Sequence, residues 1–139
     1  MPDAPHVALF NPEALFVPTA GYSQVAKVSS GNLIYIAGQV PFDNAGNLVG
    51  KDDFLVQAEQ VFQNLKAAVE AAGGSFSDIV KLSYFAVEGV DPALLPEVLK
   101  IRDRFVNTKT PPVSTFVFVK RLVRPEWLIE VEAVAVVGQ

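Results

Sequence analysis

The chain alternates short apolar runs with turn-forming clusters, and one long stretch recurs at helical spacing. Leu55, Ala58, Phe62, Leu65, Val69 and Ala72 repeat at three- and four-residue steps, which predicts an amphipathic helix over 52–72. Asp52 and Asp53 suit its N-terminal dipole, and Gly73-Gly74 supplies its stop. A second helical period runs through Leu95, Val98, Leu99, Arg102, Phe105 and Val106. It opens at Asp91-Pro92 or at Pro96 and is closed by Pro111-Pro112. Apolar runs at 25–28, 33–36, 79–87, 114–121 and 128–137 predict strands. The first two are expected to form a hairpin about Ser30-Gly31-Asn32, because Gly and Asn tolerate positive φ. The predicted order is β-β-α-β-α-β-β, an α+β domain with a mixed sheet. Residues 1–20 are read as a leader segment of a single domain spanning 1–139.

The strands carry a second message. In Pro112-Val113-Ser114-Thr115-Phe116-Val117-Phe118-Val119, Phe116 and Phe118 point to one face and Val117 and Val119 to the other. A strand with one wet face would alternate apolar with polar. Two helices with one apolar stripe each cover one face of such a sheet. The remaining face therefore calls for another copy of the same chain.

Composition sharpens this. Half of the 139 residues are hydrophobic and 19% are charged, below the usual quarter or so; mean hydropathy is +0.31. The longest charge-free run, 28–42, holds serines, glycines, Asn32, Gln39 and Pro41, so no membrane-spanning helix is expected. No basic residue precedes Lys27, which leaves a signal peptide without its charged start; a cytoplasmic location is expected. There is no cysteine, which excludes thiolate chemistry and Cys-based zinc sites. The single histidine, His6, stands in the Pro-rich leader and reads as a solvated side chain. With a net charge of −4, no nucleic-acid partner is expected. Arg102, Arg104, Lys109, Lys120, Arg121 and Arg124, interrupted by Asp103 and Glu126, read as a solvated face.

Carboxylates remain as candidate chemistry. Glu130 and Glu132 share one face of the last strand, either solvated or, for one of them, set in an apolar cleft where its pKa would rise. Tyr22 could offer a hydroxyl or simply pack. Ser114 has no visible base and reads as a strand-start hydroxyl bonding the backbone.

GNLIYIAGQVP, QAEQVFQNLKAAVEAAGGSFSDIVK and LIEVEAVAV, in this order and spacing, resemble the Rid family of reactive intermediate deaminases, also called YjgF-like or endoribonuclease L-PSP proteins. The resemblance spans about residues 22–137. It implies a chorismate mutase-like fold and a homotrimer with clefts between subunits. It also implies hydrolysis of small imines or enamines such as 2-aminoacrylate, with no metal and no organic cofactor. Carried over residue by residue, Tyr22 and Glu130 match the catalytic tyrosine and glutamate, and Ala37 and Gly38 match the backbone that lines the pocket. Leu99 falls where many members have asparagine. Ser114 falls where Pro-x-Arg-Ser/Thr would place the carboxylate-binding arginine, with Phe116 beyond it. A divergent member is thus expected, hydrolysing an imine other than the usual 2-aminoacrylate type. The alternative is a non-catalytic small-ligand-binding or regulatory trimer. Ribonuclease activity is disfavoured, since no His or Lys pair stands ready as acid and base.

Overall fold

A computed structural model describes residues 4–138. Its elements are β1 (His6–Phe10), β2 (Val25–Ser30), β3 (Asn32–Gln39), α1 (Phe54–Ala71), β4 (Ile79–Val87), α2 (Leu95–Asp103), β5 (Val113–Val119) and β6 (Ile129–Val137). Strands β3-β6-β4-β5 form one sheet in that order, and β1 and β2 form a separate antiparallel ribbon. β6 runs antiparallel to both β3 and β4, and β5 is parallel to β4.

This topology dictates where the helices go. The connections β3–α1–β4 and β4–α2–β5 both step across the sheet in the same direction. Right-handed crossovers taken in one direction put both helices on one face. α1 accordingly packs on β3 and β6, with α2 beside it. The core between them holds Val61, Phe62, Leu65, Leu82, Tyr84, Ile129 and Val131, all buried. Phe62 gathers Phe76, Phe105 and Tyr84 around its ring.

Helix α1 begins at Asp53, whose carboxylate accepts from the Val56 backbone N–H. Asp52 stands outside the helix with φ of 58°. A buried glutamine, Gln57, ties α1 to the approach of β6. Its Nε2 donates to the carbonyls of Gly50 and Glu126, and its Oε1 accepts from Leu128 N–H.

Within the leader segment residues 6–10 supply β1; Met1–Asp3 lie outside the described residues. Two expectations need correction. The predicted hairpin does not form: β2 pairs with β1, while β3 pairs with β6. Gly31, at φ of 124°, makes the break between the two strands. α2 is shorter than its apolar period suggests, ending at Asp103, with a turn of 3-10 helix (Pro92–Leu94) before it.

No helix covers the face of the sheet away from α1 and α2, and much of it is open. Register places Tyr35, Lys81, Ser83, Phe85, Glu130, Glu132, Val134 and Val117 on it. Tyr35 is 76% exposed, and Leu33 and Val117 are also exposed. No helix among the described residues is long and apolar enough to cross a membrane.

Candidate functional site

The structure sorts the predicted site residues into two groups on opposite edges of the sheet. The first lies at the β3 edge. There β3 carries one extra residue relative to β6, since Ile36 pairs with Ala133 and Gln39 with Val131. Such a bulge re-aims the backbone locally. Ala37 and Gly38 occupy it, and Gly38 lies hard against Glu130. A Cβ added to Gly38 would come within 2.2 Å of the Glu130 Oε1 atom. Glycine is thus required here for close approach rather than for a special φ. Glu130 is half-buried, and loss of solvent raises its pKa above the usual carboxylate value, with the neighbouring Glu132 adding to the rise.

The second group lies at the β5 edge, on the helix-covered face. Tyr22, Leu99, Ser114 and Phe116 line one cavity of about 340 Å³, together with Ala20, Tyr84, Leu95, Pro96 and Arg102. Residues 20–23 close one side of it. Ser23 is buried, with its hydroxyl donating to Pro111 O at 2.6 Å and its N–H to Pro112 O at 3.2 Å. These bonds hold Tyr22 beside Ser114. Phe116 stacks on Tyr84 with ring centroids 5.0 Å apart and planes 13° apart. The Ser114 hydroxyl makes no hydrogen bond among the described residues, so the strand-start capping role expected for it is not found.

Two residues of this cavity were not among the predicted site residues. Arg102 was grouped by charge with a solvated basic face, although it also continued the helical period of the second helix, and it is 4% exposed. Its Nε and Nη2 donate to Asp103 Oδ1 at 3.1 and 2.7 Å, and Nη1 donates to Ala20 O at 3.2 Å. The helical step from Val98 to Arg102 was the available signal, since it puts the arginine on the buried stripe. Tyr84 is 1% exposed, and its hydroxyl has no hydrogen-bond partner among the described residues. His6, in contrast, is exposed on β1 and lines neither group. Among the described residues no cluster of three or more His, Asp or Glu could hold a metal ion.

A mixed sheet with both helices on one face, a bulge glycine against a glutamate and a tyrosine-lined edge cavity define a chorismate mutase-like α+β protein of the Rid type. Comparison with known proteins agrees. The sequence model of the family described as Endoribonuclease L-PSP matches residues 13–137, and the chain belongs to that family. It is 38% identical over 118 residues to a RutC family protein of Pyrococcus horikoshii, covering 85% of this chain and 88% of the relative. It is 34% identical over 98 residues to a 2-iminobutanoate/2-iminopropanoate deaminase of Dermatophagoides farinae, covering 70% of this chain and 73% of the relative. The crystal structure of a Rid family protein of unknown function, YyfB from Yersinia pestis, superposes with a TM-score of 0.82 at 34% identity. It covers 94% of this chain and 98% of the other.

Proposed function

We propose that the protein hydrolyses a small imine or enamine in a cleft built between copies of this chain. The observation that carries the reading is Glu130, a partly desolvated carboxyl held against the backbone of Gly38. A carboxyl with a raised pKa exchanges protons more readily near neutrality. An enamine first tautomerises to its imine. Water then adds to the C=N carbon, and the Glu130 carboxylate takes one of its protons and delivers it to the nitrogen, forming a carbinolamine. The carboxylate next takes the carbinolamine hydroxyl proton and passes it to the amino nitrogen, the C–N bond breaks, and ammonia and a carbonyl compound leave. The step needs no metal and no organic cofactor. The deaminase name of the mite relative fits this chemistry.

The two groups of residues explain why copies are needed. Within one chain, β3 and β5 are opposite edges of the sheet. A neighbour that sets its β3 edge beside this chain's β5 edge brings its Ala37, Gly38 and Glu130 toward Tyr22, Leu99, Ser114 and Phe116. Such head-to-tail contacts form a ring when the rotation between copies closes. The homotrimer implied by the resemblance is such a ring, and its centre would cover the bare sheet face. Ser114 offers one neutral hydroxyl where an arginine would give a bidentate grip. A substrate gripped from β5 in the manner of 2-aminoacrylate is therefore not expected.

The test is ammonia release from freshly generated imines of increasing side-chain size, by the wild type and by Glu130→Gln. Release that falls at least about a hundredfold in Glu130→Gln is expected. Silence with every imine offered would remove the enzymatic reading. A ligand that raises the melting temperature without ammonia release would favour a binding module, for which the apolar lining at Leu95 and Leu99 is the motive.

A further inference from the structure

A cavity of about 570 Å³ opens on the sheet face that no helix covers. Tyr35 of β3, Lys81 and Ser83 of β4, and Glu132 and Val134 of β6 line it. Of the β3-edge group it shares Ala37 alone; Gly38 and Glu130 do not line it.

Register fixes how its polar groups meet. Ser83 stands directly opposite Glu132, and Lys81 directly opposite Val134, which in turn faces Tyr35. Lys81 and Glu132 are thus diagonal neighbours on one face, about 7–8 Å apart at the backbone and within reach of each other's long side chains. They nonetheless form no ion pair, and neither joins any ion pair among the described residues. Ser83, in the row beside Lys81, is 9% exposed, and its hydroxyl makes no hydrogen bond among the described residues. An ammonium, a carboxylate and a buried hydroxyl therefore line one cavity, each without a partner. Val134 and Tyr35 make the adjoining wall apolar. In the proposed ring this face turns to the axis and away from bulk water, where an unpaired charge is costly. That cost rests on the ring, but all the groups named belong to one chain.

We propose that this cavity binds a free α-amino acid as its zwitterion. Lys81 Nζ donates to the ligand carboxylate, the Glu132 carboxylate accepts from the ligand ammonium, and the Ser83 hydroxyl donates to the carboxylate from the floor. A ligand that carries both charges in one short unit closes the gap that Lys81 and Glu132 leave open. A simple acid or a simple amine satisfies one of them and leaves the other bare. The ligand's side chain lies over Tyr35 and Val134, which selects an apolar one. In the ring each chain contributes one such site to a shared axial chamber. The site is separate from the imine chemistry, since it makes no use of Glu130.

The test is calorimetric titration of the full chain with L-leucine, with 4-methylpentanoate, which lacks the ammonium, and with 3-methylbutylamine, which lacks the carboxylate. Leucine is expected to bind at least about tenfold more tightly than either, the loss of one hydrogen bond to a charged group. Lys81→Met should erase the preference for leucine over 3-methylbutylamine. Glu132→Gln should erase the preference over 4-methylpentanoate. A general loss of structure would not divide the two preferences in this way. Ser83→Ala should weaken leucine by a smaller factor, and Lys66→Gln, at an exposed lysine on α1, should leave it unchanged. No leucine binding at any soluble concentration, equal binding of the three compounds, or preferences unaltered by Lys81→Met and Glu132→Gln would each overturn the proposal. Sedimentation of the same variants is expected to match the wild type. Dissociation of the oligomer in either would assign the two charges to a contact between copies and overturn it as well. A wild type that sediments as a single chain yet binds leucine would remove the ring and leave the site standing. Ammonia release with failed leucine titrations would sink the site and leave the imine hydrolysis.

Discussion

Gly38 and Glu130 illustrate how little room a site residue has. A methyl group at position 38 collides with the carboxylate that the proposed chemistry needs. Gly38→Ala should therefore displace Glu130 and lower ammonia release by about a hundredfold, the scale of a misplacement near 1 Å; parallel kinetics and a melting curve separate this from unfolding. Glu130 also sets a pH dependence. Its folded pKa lies above its unfolded one, so between the two the folded state holds more protons. Stability contributed by this group is full below the ordinary carboxylate range and declines as pH rises through the raised folded value. Glu130→Gln should thus melt higher than the wild type at neutral pH. The gap should close once the pH is low enough to protonate the carboxyl in both states. A gap that widened on acidification would contradict the sign.

At the scale of elements, α1 was legible because one face of a helix repeats every three or four residues whatever it packs on. Gln57 was not part of that repeat, and the structure finds it fully buried beside it. Pattern alone does not say that its amide would join α1 to Gly50, Glu126 and Leu128. Gln57→Leu would strand those backbone groups, at a cost of about 3 kcal/mol. Chemical denaturation should show this as a lower midpoint with an unchanged slope. Asp53→Ala removes the α1 cap and should cost ~1 kcal/mol by the same measurement. Strand partners were harder. The segments on either side of Gly31 were each identified as extended, but a local hairpin was the wrong pairing. β3 joins β6 from the far end of the chain, a contact no short window contains. β1 was missed because five residues in a Pro-rich stretch carry little periodic signal.

On the scale of the whole molecule, the bare face of the sheet is the dominant feature. Tyr35, Leu33 and Val117 are exposed on a sheet whose helices both lie on the other side. Sedimentation at micromolar concentration should find an oligomer for the wild type. Tyr35→Asp should shift it toward single chains and lower ammonia release with it, because the proposed cleft needs two copies. A wild type that sediments as a single chain would remove both the ring and the cleft.

The amino-acid sequence alone determined the two helices, the greasy strands, the uncovered face and the family, since each is written in spacing or in contiguous motifs. It also marked Glu130 and Gly38, which lie in such motifs. Tertiary structure decided which strands pair, and that the site residues fall on two opposite edges. It also decided that Arg102 turns inward beside the buried Tyr84. These depend on residues far apart in the chain meeting in space, and on whether a charged side chain finds its partners under a neighbouring segment. Side-chain chemistry and spacing leave both open until the chain has packed.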